Sequence, residues 1–137
     1  MSARTVVLDS EALAMAATQH STAKSFLSAA LRDDAEVVIP AVVLAELMTG
    51  GPTDAQLWHL IRRLTTVDIT ARLAARAGAL REGASGKRRK KRDLTVDAMV
   101  AAVAELLAPS VILTGDAGDL SLLSVGLDVR VADINSI

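Results

Sequence analysis

LTVDAMVAAVAELL (94–107) and, past Pro109, VILTGDAGDL (111–120) are the stretches on which the fold is read. The first has the pattern of a helix that is apolar on nearly every face and therefore buried, yet it carries Asp97 in its first turn. A carboxylate in such surroundings needs a partner. The second is a short apolar strand, Val111 to Leu113, running into Thr114, Gly115 and Asp116, with Asp119 three residues further on. In open α/β sheets the carboxyl ends of strands and the adjoining helix starts line the ligand crevice, which allows Asp97 and Asp116 to face one pocket. Two acids converging in a cleft suggest a metal ion.

Working outward, the chain opens with a β-branched strand, Thr5 to Leu8, that leads straight into Asp9 and Ser10. An alanine-rich helix over 12–18 follows. Ser21 is placed to cap a second helix that runs to about Leu31, with Phe26, Leu27, Ala30 and Leu31 on one face. Val37 to Ile39 reads as a buried strand, and Pro40 suits the first turn of a helix that continues through Leu47 until Gly50-Gly51 stops it. Glu46 is an acid in that otherwise apolar helix. Thr53 with Gln56 has the spacing of a capping box ahead of a helix that turns Leu57, Leu60, Ile61 and Leu64 inward. A strand over 66–69 comes next, then a helix capped by Thr70 that ends near Glu82, and a loop at about 83–92. Asp93 or Thr95 caps the buried helix, and beyond Asp119 come a short helix and a last strand over 128–132. This alternation predicts an α/β protein: a three-layer α/β/α sandwich with a mainly parallel central sheet, in a single domain over 1–137.

Composition narrows the functions. Of the 137 residues 51% are hydrophobic, enough for a substantial core. Phe26 and Trp58 are the only aromatics, which argues against a platform that stacks bases. With no cysteine there is no disulfide, no thiol nucleophile and no Cys-based zinc site. The longest apolar run, Val37 to Ala45, is too short for a bilayer and the start lacks a signal pattern, so no membrane association and a cytoplasmic location are expected. The net charge of -1 hides an asymmetry: Lys87, Arg88, Arg89, Lys90, Lys91 and Arg92 hold six of the 15 basic residues, leaving nine against 16 acids elsewhere.

Asp9, Glu46, Asp97 and Asp116 are thus delivered by four separate segments to what would be one edge of a parallel sheet. Like charges that close raise one another's pKa and cannot all stay ionised without a cation. Oxygen donors with no Cys or His among them select a hard divalent ion such as Mg²⁺ or Mn²⁺. Such an ion neutralises phosphate charge and acidifies water, the chemistry of phosphodiester hydrolysis.

At these residues the chain resembles the PIN-domain ribonucleases, and most closely the VapC-type toxins of type II toxin–antitoxin systems. The matching pieces are VVLDS (6–10), VIPAVVLAEL (38–47), TVDAMVAAVA (95–104) and LTGDAGDL (113–120). Each is weak alone; the order and spacing make them specific. The resemblance implies a metal-dependent endoribonuclease that cleaves RNA through a metal-activated water and leaves 5′-phosphate and 3′-hydroxyl ends. It also implies a homodimer neutralised by a cognate antitoxin. Carried over position by position, Asp9 and Asp97 become the principal metal ligands, Glu46 and Asp116 complete the quartet, Asp119 is accessory, and Ser10 and Thr114 hydrogen-bond ligands or phosphate. Leu120 departs from the pattern, since many relatives have an aromatic residue there.

Other uses remain open for several residues. Asp9 and Asp97 can also cap helices, and Asp119 is balanced between an accessory acid and a cap. Glu11, Asp33, Asp34, Asp54 and Glu105 read as surface or capping charges, and His20 and His59 lack ligand spacing. Trp58 belongs either to core packing or to a dimer or antitoxin surface. The basic run, immediately upstream of Asp97, is either a solvated loop or a phosphate contact that draws RNA toward an otherwise acidic body, the second being favoured. A haloacid-dehalogenase phosphatase would need an aspartate where Glu11 stands. No GxGxxG or Walker loop is present. The remaining alternative is a non-catalytic PIN-like module that binds RNA or protein.

Overall fold

The structure, a computed structural model, describes residues 4–86 and 93–137. The expected loop at 83–92 is mostly outside these residues, and its described part differs from expectation. A helix runs through Ser85, because Ala84 is buried in the core and tertiary packing overrides the helix-breaking tendency of Gly83.

Five strands form the sheet: β1 (Thr5–Leu8), β2 (Glu36–Pro40), β3 (Thr65–Val67), β4 (Ser110–Thr114) and β5 (Val129–Asp133). Their order is β3-β2-β1-β4-β5, and every neighbouring pair is parallel, so the sheet is wholly rather than mainly parallel. Val6 lies beside Val37 on one side and Val111 on the other. Strands buried on both faces need continuous apolar runs, and TVVL, VVIP and SVIL supply them.

Seven helices connect and cover the strands: α1 (Ser10–Ala17), α2 (Ser21–Arg32), α3 (Ala41–Leu47), α4 (Asp54–Ile61), α5 (Ala71–Ser85), α6 (Thr95–Leu106) and α7 (Ala117–Leu123). A 3₁₀ turn, Ile134–Ser136, follows β5. α1 packs against α2, α3 and α4, while α5, α6 and α7 pack on one another, and both α1 and α6 lie on β1 and β4. The expected α/β/α sandwich is therefore present. α6 buries Ala98 and the whole run Val100–Ala104, as its apolar circumference predicts.

Local signals were less faithful. Ser21 is the first residue of α2 rather than its cap; His20 caps instead, its Nδ1 accepting from the Ala23 amide at 3.4 Å. Thr53 precedes α4 without capping it, so the capping box does not form. Asp54, read as a surface charge, is buried and accepts hydrogen bonds from the amides of Thr49 (3.1 Å) and Gly50 (2.7 Å). Thr70 caps α5 as expected, accepting from the Leu73 amide at 3.2 Å. Trp58 is 44% exposed, which removes it from the interior of the core.

Candidate metal centre

The chain reverses direction across the sheet between β1 and β4: from β1 it proceeds to β2 and β3, whereas β4 leads to β5 on the other side. Such a switch point opens a crevice beyond the carboxyl ends of the two central strands. Asp9 directly follows β1, and Thr114 ends β4 with Gly115 and Asp116 just beyond it. A cavity of about 430 Å³ lies there, lined by Asp9, Ser10, Glu11, Glu46, Asp93, Val96, Asp97 and Asp116.

Asp9 is the buried member, 7% exposed. It caps α1, with Oδ1 accepting from the Ala12 amide at 2.8 Å, and Oδ2 accepts from the Thr114 hydroxyl. The cap and the cleft are thus two uses of one carboxylate. Its pKa is pushed up to about 6, first by burial and then by the charges of Glu11 and Asp97, against the lowering effect of the two hydrogen bonds.

The other acids are more open. Glu46, near the end of α3, accepts from the Ser10 hydroxyl, which joins α3 to the start of α1. Asp97, in the first turn of α6, is half-buried. Asp116 caps α7 through a 3.3 Å bond from the Gly118 amide, and its own amide donates to Thr114 Oγ1 at 3.0 Å. The Thr114 hydroxyl therefore links Asp9 to Asp116. Asp119 lies in the first turn of α7 and does not line the cavity. Lys87, Arg88, Arg89, Lys90, Lys91 and Arg92 fall outside the described residues.

Among the described residues no group of three or more acidic, histidine or cysteine side chains stands close enough together to hold a metal ion. The donors fit a divalent ion in another way. Mg²⁺ keeps several waters and uses few protein carboxylates, so it needs an open, oxygen-lined cavity with uncompensated negative charge. Asp9, whose carboxylate is disfavoured by burial and neighbouring acids, provides that charge deficit.

A family model described as the PIN domain matches residues 6–122. The chain belongs to the PIN-domain family. Solved structures share this PIN fold along nearly the whole chain. VapBC2 from Rickettsia felis, bound to a DNA fragment from its promoter, superposes with a TM-score of 0.71 at 18% identity, covering 94% of this chain and 98% of that one. DNA-bound VapBC from Salmonella typhimurium gives 0.70 at 16%, covering 95% and 98%. FitAcB from Neisseria gonorrhoeae gives 0.67 at 17%, covering 96% and 99%. No curated protein matches the sequence.

Two acids that line the cleft of this PIN domain were read in its sequence only as capping or surface charges. Asp93 accepts from the amide and hydroxyl of Thr95, at 2.9 and 2.6 Å, which turns the chain into α6. Glu11, read as a surface or capping charge, borders the cavity from the first turn of α1. Its signal was its place two residues after Asp9, but first-turn acids are common on helices for electrostatic reasons alone.

Proposed function

We propose that this PIN domain is a divalent-metal-dependent endoribonuclease and the toxin of a toxin–antitoxin pair. The observation that carries the reading is the meeting of Asp9, Glu46, Asp97 and Asp116 around one cavity at the switch point of the sheet. Their sequence separation leaves no local reason for them to converge. The family match supports a nuclease, and the likeness in fold to the VapBC and FitAcB structures supports an antitoxin partner.

In this reading Asp9, Asp97, Asp116 and Glu46 hold Mg²⁺, or Mn²⁺ in its place. The bound ion supplies charge neutralisation at the phosphate and acidification of water. Ser10 fixes the Glu46 carboxylate and Thr114 fixes that of Asp9, so their hydroxyls set ligand orientation before the ion arrives. Water attacks phosphorus in line, the bond to the 3′ oxygen breaks, and the products carry 5′-phosphate and 3′-hydroxyl ends. The basic run Lys87 to Arg92 contacts RNA phosphates, adding affinity with little sequence preference. Asp119 acts at most through its neighbours, as an accessory acid. The active unit is a cytoplasmic homodimer.

The test is RNA cleavage with and without Mg²⁺, followed by sequencing of the RNA ends. Wild type should cut only with the ion, and Asp9→Asn or Asp97→Asn should abolish cutting while far-UV circular dichroism stays unchanged. Cleavage that survives both substitutions, or products ending in 2′,3′-cyclic phosphate, would reject the mechanism. RNA binding without cleavage under any divalent ion would favour a non-catalytic module.

A further inference from the structure

Glu11 has a neighbour that explains how it can reach the cleft. Gly115, at the end of β4, leaves open the space that Glu11 fills: a Cβ there would overlap Oε2 of Glu11 and crowd its Cβ and Cδ at 3.2 and 3.3 Å. The backbone of Gly115 does not take up the left-handed conformation reserved for glycine, so the position requires a missing side chain and not unusual torsions. The Gly115 carbonyl accepts from Asn135 Nδ2 at 3.0 Å, which anchors this rim of the cleft to the turn after β5. Among the described residues Glu11 has no cationic partner, although it lines the same cavity as the four acids above.

We propose that Glu11 is a fifth carboxylate for the divalent ion and that Gly115 is the cradle that admits it. The inference rests on the metal-centre reading above. Charge count around an oxygen-ligated ion tunes its affinity, and a glutamate in the first turn of α1 adds a negative charge beside Asp9. Its longer side chain crosses from α1 to the end of β4, so the ion would draw together the two central strands' ends.

The experiment is calorimetric titration of the full chain with Mn²⁺, for wild type, Glu11→Gln, Gly115→Ala, the double variant and Asp9→Asn, each checked for folding by circular dichroism. Glu11→Gln should weaken Mn²⁺ binding about tenfold. Gly115→Ala should do the same, because the most severe overlap is with the far end of a flexible side chain, which swings out of the cleft at little cost. The double variant should bind no more weakly than Glu11→Gln alone, since the alanine then has no glutamate to displace. Affinity within twofold of wild type for Glu11→Gln, with binding lost in Asp9→Asn, would overturn the role of Glu11. Further weakening in the double variant would overturn the cradle. Unchanged binding in Asp9→Asn would instead show that the metal-centre reading itself fails.

Discussion

Asp9 carries opposing demands. As a cap it needs to accept hydrogen bonds, and as a buried acid among acids it resists ionisation, so its pKa stands near 6. A carboxyl that holds its proton more tightly folded than unfolded stabilises the native state at low pH. That contribution is lost as pH rises from about 4 through 6. Asp9→Asn should therefore gain stability relative to the metal-free wild type across that window, reaching about 3 kcal/mol at pH 7. Urea melts at pH 4 and 7 measure it, and a constant difference between the two pH values would refute the account. Millimolar Mg²⁺ or Mn²⁺ should raise the melting temperature of wild type at pH 7 and leave that of the asparagine variant in place. In sequence, Asp9 was legible because an acid at the end of a β-branched strand has few settings. Glu11 was not, because its significance depends on the absence of a side chain at Gly115, a residue remote along the chain.

At the level of elements, the apolar runs of the strands and the buried face of α6 were legible, since burial on both faces leaves no room for polar residues. Caps were less so. Ser21 and Thr53 have good capping chemistry, but His20 takes the amide at the start of α2, and Thr53 makes no cap bond while Asp54 holds the amides of the loop before α4. Asp54 is held below the usual carboxylate range, chiefly by the Thr49 amide and also by the Gly50 amide and the Thr49 hydroxyl, against the cost of burial. A depressed carboxyl contributes stability that is present above its unfolded pKa and disappears as pH falls through its folded value. Asp54→Asn should accordingly melt below wild type at pH 7 and converge with it under strongly acid conditions, as thermal scans over pH 2–7 would reveal. In the sheet, Leu113 is fully buried on β4, and Leu113→Ala should cost about 3 kcal/mol by chemical denaturation. The Arg76–Glu105 pair joining α5 to α6 is solvent-accessible despite its two hydrogen bonds of 2.6 and 2.8 Å. Arg76→Ala should cost no more than about 1 kcal/mol.

Across the whole molecule, parallel α/β architecture followed from the alternation of strands and helices, whereas the strand order did not. Periodicity tells which residues are buried but not which strand lies beside which. The charge asymmetry, by contrast, is a property of the sequence: outside Lys87 to Arg92 the chain has nine basic residues against 16 acids. If the basic run supplies the phosphate contacts, replacing all six of its residues with glutamine should lower RNA affinity at 50 mM salt. It should also reduce the slope of log K against log salt by up to about 4, from roughly 0.7 per contact on a single strand. Filter binding over a salt series measures both, and an unchanged slope would assign the contacts elsewhere. The order of the strands has a temporal consequence. Thr114 and Asp9 meet across a separation of 105 residues, on adjacent strands that begin and nearly finish the chain. While a ribosome is still making the protein, β1 emerges long before its β4 neighbour, and the acidic cavity has no walls. The acidic cleft can therefore take shape only after the residues of β4 have been made and have reached β1.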